Sequence, residues 1–287
     1  MKKQGWRSWW KHAVIWLVLG WVLFPLAWII GASFDPRGIL VGQSIIPPEF
    51  SLKHYIDLFN TPTQPFGIWL WNSIYVSLIT SVFAVLLCSL AAYAFSRYRF
   101  RGRRMGLLAL LILQMFPQLL AFVALYVLLQ DITNIPVLGD LIGFNTHAGL
   151  IFVYLGGAIG FNTWLMKGFF DTLPASLEEA AMIDGASRFQ VFWRIVLPLT
   201  RPVLAVIFIL VYILTYADFL LARVLITDRD LFTFSVGLQR FIANNYGTVR
   251  WGVFSAATVI GSIPIVLVFL LAQRWIISGL TRGSVKG

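Results

Sequence analysis

Few side chains in this sequence are spaced for bond-making chemistry. The three histidines, His12, His54 and His147, lie too far apart to form an H-x-x-x-H metal pair, and no G-x-S-x-G nucleophile turn occurs. No G-x-x-x-x-G-K-[ST] loop occurs among the 23 glycines, so nucleotide is expected to bind another chain. Cys88 is the single cysteine, which excludes an intramolecular disulfide or a cysteine metal cluster and reads as a small core residue. The expectation is therefore no catalytic residue, no metal and no cofactor held by this chain. Its polar chemistry concerns passage and pairing. Asp218 is the clearest ionisable group within an apolar run, with Arg223 five residues further on. A proton relay needs several such groups, and the other runs hold no second carboxylate, which favours a structural or pore-rim role. Gln114, Gln118, Asn162, Thr163, Tyr212, Thr215 and Tyr216 also lie in apolar runs, suited to lining an aqueous route or to hydrogen bonding between helices.

The elements that must position these groups are membrane helices. Of 287 residues, 59% are apolar and only 12% charged, against roughly 45–50% and 25% in soluble domains. With a mean hydropathy of +0.82, the chain lacks the polar surface of a soluble domain and the charge of a disordered one. The apolar runs are long and do not alternate, as helices rather than barrel strands require. Six runs are long enough to span a bilayer: about Ala13 to Ala32, Leu70 to Phe95, Leu107 to Leu129, Ala148 to Met166, Val203 to Leu221, and Phe254 to Ala272. Pro117 is expected to kink the third, and Gly156 with Gly160 gives the fourth a small-residue packing face. An even number of spans puts both termini on one side. The N-terminal flank, the second and fourth connections and the tail carry 16 of the 22 basic residues, so both termini are expected in the cytoplasm. Charges placed beside spans meet anionic lipid, which accounts for the net +10 without nucleic acid. A basic start, an apolar run and Gly31-Ala32-Ser33 also fit a cleavable signal; the run is about 20 residues against the usual 7–15, which favours a retained first helix.

The fourth connection, Lys167 to Pro202, is long, mixed in charge and patterned as two short helices. Ser176 followed by Glu179 predicts a capping box for a helix over about Leu177 to Ile183, ended by Gly185. Ser187 followed by Gln190 predicts a second. There Phe189, Phe192, Trp193 and Val196 fall at i, i+3, i+4 and i+7 before Pro198 stops the helix. On the residues alone, Glu179 as a plain cap and the aromatic face as a lipid-surface element stand level with docking to a partner.

Glu179-Ala180-Ala181, Asp184-Gly185-Ala186, Phe192 and Ile195-Val196-Leu197-Pro198 resemble the EAA loop of ABC importer permeases. The six spans, the Arg-rich turn after the second, Val236-Gly237-Leu238-Gln239, Trp251-Gly252 and the ending from Gln273 to Gly287 are similar to the smaller permease of maltose and maltodextrin systems. The outer loop departs from that pattern, reading Ala243-Asn244-Asn245-Tyr246 where an Asn-Pro turn is usual. The resemblance implies an all-α, polytopic, type I importer permease in a bacterial inner membrane. It divides as residues 1–69 (N-terminal segment, first span and outer loop), 70–277 (permease domain with a coupling loop at about 174–201) and 278–287 (cytoplasmic tail). It implies a second homologous permease, two ATPase subunits that hold ATP and Mg, and an extracytoplasmic sugar-binding protein. Glu179, Ala180, Ala181, Asp184, Gly185 and Phe192 would couple to the ATPase, as would Arg282 and Lys286 of a tail judged too polar to continue the sixth helix. Asn244, Asn245 and Tyr246 would meet the binding protein, and Gln114, Asn162, Tyr212 and Tyr216 would line the pathway. An oligosaccharide such as maltose, maltodextrin or trehalose is the implied cargo. The alternatives are an ion-coupled secondary transporter, or a permease of the same type for a solute such as glycerol phosphate.

Overall fold

A computed structural model describes residues 9–39, 42–242 and 249–283, and among these every regular element is helical. The helices are α1 (Trp9–Phe34), α2 (Lys53–Phe59), α3 (Phe66–Arg97), α4 (Arg103–Met115), α5 (Gln118–Thr133), α6 (Leu138–Ile142), α7 (His147–Asp171), α8 (Ala175–Ile183), α9 (Arg188–Val191), a π-turn (Phe192–Val196), α10 (Leu197–Leu199), α11 (Arg201–Ala217), α12 (Leu220–Leu225), α13 (Phe234–Ile242) and α14 (Trp251–Gly283). α1, α3, α7 and α14 are each long and apolar enough to cross a bilayer, and two bent pairs bring the number to six if each pair is one span. The chain divides into two compact units, residues 1–67 with 237–263 and residues 68–236 with 264–287.

In the first unit the end of α1 is held by small residues. Gly31 admits the backbone of Ile45 where a Cβ would collide, and Ser33 Oγ lies 2.8 Å from Tyr55 Oη. Beyond it, His54 Nε2 is 2.7 Å from the Asp35 carbonyl, and its ring fills the place a Cβ on Gly252 would need. Arg37 bonds both carboxylate oxygens of Asp35 and holds that carboxyl below its ordinary value.

In the second unit the core joins α3, α7 and the segment leading into α11 through Tyr93, Met166, Phe170, Phe192, Val196 and Ile207. Three expectations are corrected there. Pro117 breaks the third span rather than kinking it. Phe116 is extended (φ −71°, ψ 131°), as the residue before proline prefers, and residues 103–115 and 120–133 meet at 106°. In the fifth expected span α11 stops at Ala217, where Asp218 is extended (ψ 130°), so Asp218 lies at a break instead of within a span. Its carboxylate accepts from Tyr154 Oη at 2.7 Å and from the Ala222 backbone N–H at 3.0 Å, while Arg223 lies 5.9 Å from the Phe232 ring centre. Finally, α14 continues to Gly283, through residues expected to leave the helix. Polarity at Ser278 to Arg282 marks the limit of an apolar span, but no proline falls among these residues to stop the helix.

The connections that precede α7 and follow α12 are clasped by side chains gripping backbone. Trp69 Nε1 donates to the Arg229 carbonyl (2.8 Å), and Asn72 Nδ2 donates to the carbonyls of Asp230 (2.8 Å) and Phe232 (3.0 Å). Ser73 Oγ accepts from the Phe234 N–H at 2.7 Å. From the start of α7, His147 Nε2 reaches the Leu231 carbonyl at 2.7 Å, its other ring nitrogen meeting Tyr75 Oη, and Asn145 Oδ1 accepts from the N–H groups of Thr227 and Asp228.

Candidate functional site

α8, α9, the π-turn and α10 form the patterned segment between α7 and α11. α8 starts two residues earlier than the capping expectation. Pro174 is its N-cap and no side chain caps it, so Ser176 lies in its first turn and the Ser176 capping box is absent. Proline before the first helical residue supplies the entry geometry in its place. α8 ends as foreseen at Gly185 (φ +88°). Ala186 N–H donates to Ala181 O (2.9 Å) and Gly185 N–H to Met182 O (3.1 Å), the paired bonds of a Schellman ending, which needs a left-handed residue.

The second capping box is present, with Ser187 Oγ accepting from Gln190 N–H and Gln190 Oε1 from Ser187 N–H. The helix behind it differs from expectation. Pro198 does not stop it, because the chain widens into a π-turn at Phe192–Val196, passes through α10 and bends 77° into α11. The wider turn also separates the aromatic residues. Phe192 and Val196 enter the core, Phe192 lying 4.9 Å from the Tyr93 ring, while Phe189 (68% exposed) and Trp193 remain outside.

Two adjacent carboxylates on α8 have opposite surroundings. Glu178 is buried. Arg97 Nε donates to its Oε1 at 2.5 Å and Tyr93 Oη to its Oε2 at 3.0 Å, and Arg97 also donates from Nη2 to the Leu173 carbonyl at 3.1 Å. Glu179 is exposed, as are Ala180, Asp184 and Gly185; Ala181 is half-buried against the core. Beside Glu179 stand exposed apolar residues, Ile183 being 86% exposed. The segment is thus a surface carrying two carboxylates, Glu179 and Asp184, and several apolar side chains, fastened from behind by Glu178 and Phe192.

Glu178, Tyr93 and Arg97 escaped the sequence reading. Eighty-one positions separate Arg97 from Glu178, and the only hint was Arg97 at the head of the Arg-rich turn. Other expected residues are scattered. Tyr212 and Tyr216 are buried and stack on each other with ring centres 5.9 Å apart, and Asn162 Nδ2 donates to its own helix at Ala158 O. Gln114 Nε2 donates to Gly157 O at 3.2 Å, its amide filling the space over Gly160 and joining α4 to α7. Asn244, Asn245, Tyr246 and Lys286 lie outside the described residues. Arg282 belongs to α14 by its backbone.

Known proteins share this chain's sequence along its whole length. It is 44% identical over 299 residues to the maltose/maltodextrin transport system permease protein MalG of Vibrio vulnificus (strain YJ016), an alignment covering 100% of this chain and 98% of that one. For the protein of the same name from Escherichia coli (strain K12) the values are 40% over 298 residues, 100% and 98%. Among solved structures, a bacterial ABC transporter involved in the import of the acidic polysaccharide alginate superposes with a TM-score of 0.80 at 21% identity, covering 96% of this chain and 98% of that one. The alginate transporter in complex with its alginate pentasaccharide-bound periplasmic protein gives 0.60 at 18%, covering 93% and 94%. These two likenesses establish the fold. Residues 84–282 match the family described as the binding-protein-dependent transport system inner membrane component. The chain therefore belongs to that family and is an α-helical membrane protein of the ABC importer permease fold.

Proposed function

We propose that this chain is the permease subunit of an ATP-driven importer of an oligosaccharide, maltose or maltodextrin in the first instance, and forms half of its transmembrane route. Full-length identity of 40–44% to maltose/maltodextrin permeases supports the cargo class. The observation that carries the mechanism is the α8–α10 segment, which presents Glu179, Asp184, Ile183 and Phe189 outward while Glu178 and Phe192 fasten it to α3. A surface joining acidic groups to exposed apolar ones suits a partner that inserts a basic residue beside an apolar groove. In this reading, two ATPase subunits bind ATP and Mg and dock on these segments of this chain and of a second, homologous permease. Closure of the ATPase pair moves α8–α10 as a body, and the core shared with α3, α7 and α11 turns that motion into exchange between inward and outward openings. A sugar-binding protein delivers cargo outside, meeting Asn244, Asn245 and Tyr246, and Arg282 and Lys286 reach the ATPase pair.

Reconstituted with its partner permease, ATPase and binding protein, the protein should take up labelled maltotriose when ATP is enclosed with the ATPase and the binding protein is added outside. Uptake that follows an imposed proton or sodium gradient without ATP would instead establish an ion-coupled transporter.

A further inference from the structure

An open pocket of about 540 Å³ lies where α3 ends, α4 begins and α7 ends, in the same compact unit as the docking segment but apart from it. Its walls include Phe100, Met105 and Leu107, and its charges are Arg103, Arg104 and Lys167. No carboxylate lines it. Asp171 stands behind the wall, accepting from Lys167 Nζ at 2.5 Å and from Ser96 Oγ at 2.6 Å, and its one negative charge against the three cations leaves two positive charges in excess. Gly102, at φ +87°, turns the chain so that Arg103 and Arg104 enter α4 side by side.

A second feature runs directly from this pocket. α4 has no buried residue, and Met105, Leu108, Ile112 and Met115 recur at i, i+3, i+7 and i+10, forming one exposed apolar face from Met105 (70% exposed) to Met115 (82%). At about 1.5 Å per residue that face is roughly 15 Å long, half the hydrocarbon thickness of a bilayer. The basic pocket therefore opens at one end of an apolar strip one leaflet long, with Phe100 and Met105 at the junction.

We propose that this pocket binds the phosphate headgroup of an anionic phospholipid whose acyl chains lie along the Met105–Met115 face of α4. Charge selects the headgroup, since three cations in a partly apolar cup hold a phosphodiester and repel a zwitterionic lipid's ammonium. The strip selects a lipid over a soluble phosphate ester, which has nothing to lay against it. The inference requires only that these helices end at a membrane face, and stands whatever cargo the transporter carries.

The test uses the full-length protein with its co-purifying subunits in nanodiscs that contain phosphatidylglycerol and phosphatidylcholine, each bearing a photoreactive acyl chain and a distinct mass. Adducts on residues 105–115 are counted by mass spectrometry as the ratio of the two lipids. The ratio should favour phosphatidylglycerol, fall roughly fivefold in Arg104→Gln, and fall on the order of a hundredfold when Arg103→Gln and Lys167→Gln are added. Arg104→Lys should keep the preference. Phosphatidylcholine adducts on the same residues report that α4 is folded in the bilayer in every variant. Equal labelling by the two lipids in the wild type, an unchanged ratio in the triple variant, loss of preference with excess glycerol phosphate, or polypeptide adducts replacing lipid ones would each overturn the proposal.

Discussion

Glu178 and Glu179 follow one another in α8, yet their substitution should break different things. Glu178→Gln leaves the half-buried Arg97 guanidinium without its counter-charge, and since stranding one member of a fully buried pair costs about 3–5 kcal/mol, the loss here should fall toward or below the lower end of that range. The purified protein should lose thermal stability. Glu179→Gln changes an exposed residue, so the unfolding midpoint should hold while ATPase co-purification and sugar uptake fall, by the roughly 2–5 kcal/mol of a broken interfacial charge pair. If Glu179→Gln unfolds early and retains the ATPase, the assignment of roles is reversed. Gly185 and Ser176 extend the contrast. Gly185→Ala forces a Cβ into left-handed backbone at a cost of about 1–2 kcal/mol, whereas Ser176→Ala should alter neither unfolding nor uptake, because Ser176 caps nothing. A stability loss from Ser176→Ala larger than that from Gly185→Ala would contradict this geometry.

Among the elements, the third span is the one whose shape depends on a single residue. Pro117 withholds an N–H and keeps Phe116 extended, and Pro117→Ala removes both constraints, with a helix preference gained of roughly 3 kcal/mol. Spin labels at Leu108 and Val127, in a Cys88→Ala background, should move apart as α4 and α5 straighten. An unchanged separation would mean that the Gln114 contact over Gly160 and the packing of α5 hold the 106° bend without proline. The same element shows what can be read from sequence. Long apolar runs state that a helix must cross a bilayer, since no other structure hides its backbone polar groups in hydrocarbon. They do not state where it breaks. Pro117 announced a disturbance and Asp218 did not, because the bonds that hold Asp218 come from Tyr154, 64 positions away, and from a backbone N–H four residues on. In the α8–α10 segment the Gly185 turn and the Ser187–Gln190 box were legible because both are made within six residues. The wrong cap at Ser176 shows the limit of that locality, as Pro174 changed the register by a position or two.

For the whole molecule the first question is sidedness, which basic-residue placement predicts with Arg101 and Glu179 in the cytoplasm and Pro47 outside. Single cysteines at these positions, again with Cys88→Ala, should react with an impermeant reagent from opposite sides; labelling of position 47 from the cytoplasmic side alone would invert the topology. The clasp on residues 227–234 bears on a slower process, the drift of sequence between descendants of one gene. Trp69, Asn72 and His147 grip carbonyl oxygens at residues 229–232, and a carbonyl oxygen is the same in every amino acid. Substitutions at Asp230 leave the grip of Asn72 chemically intact, whereas any substitution of Asn72 releases two acceptors at once. A saturation library selected for growth on the transported sugar should therefore tolerate change at position 230 and reject it at position 72, leaving this rim open to new charges while its frame is inherited unaltered.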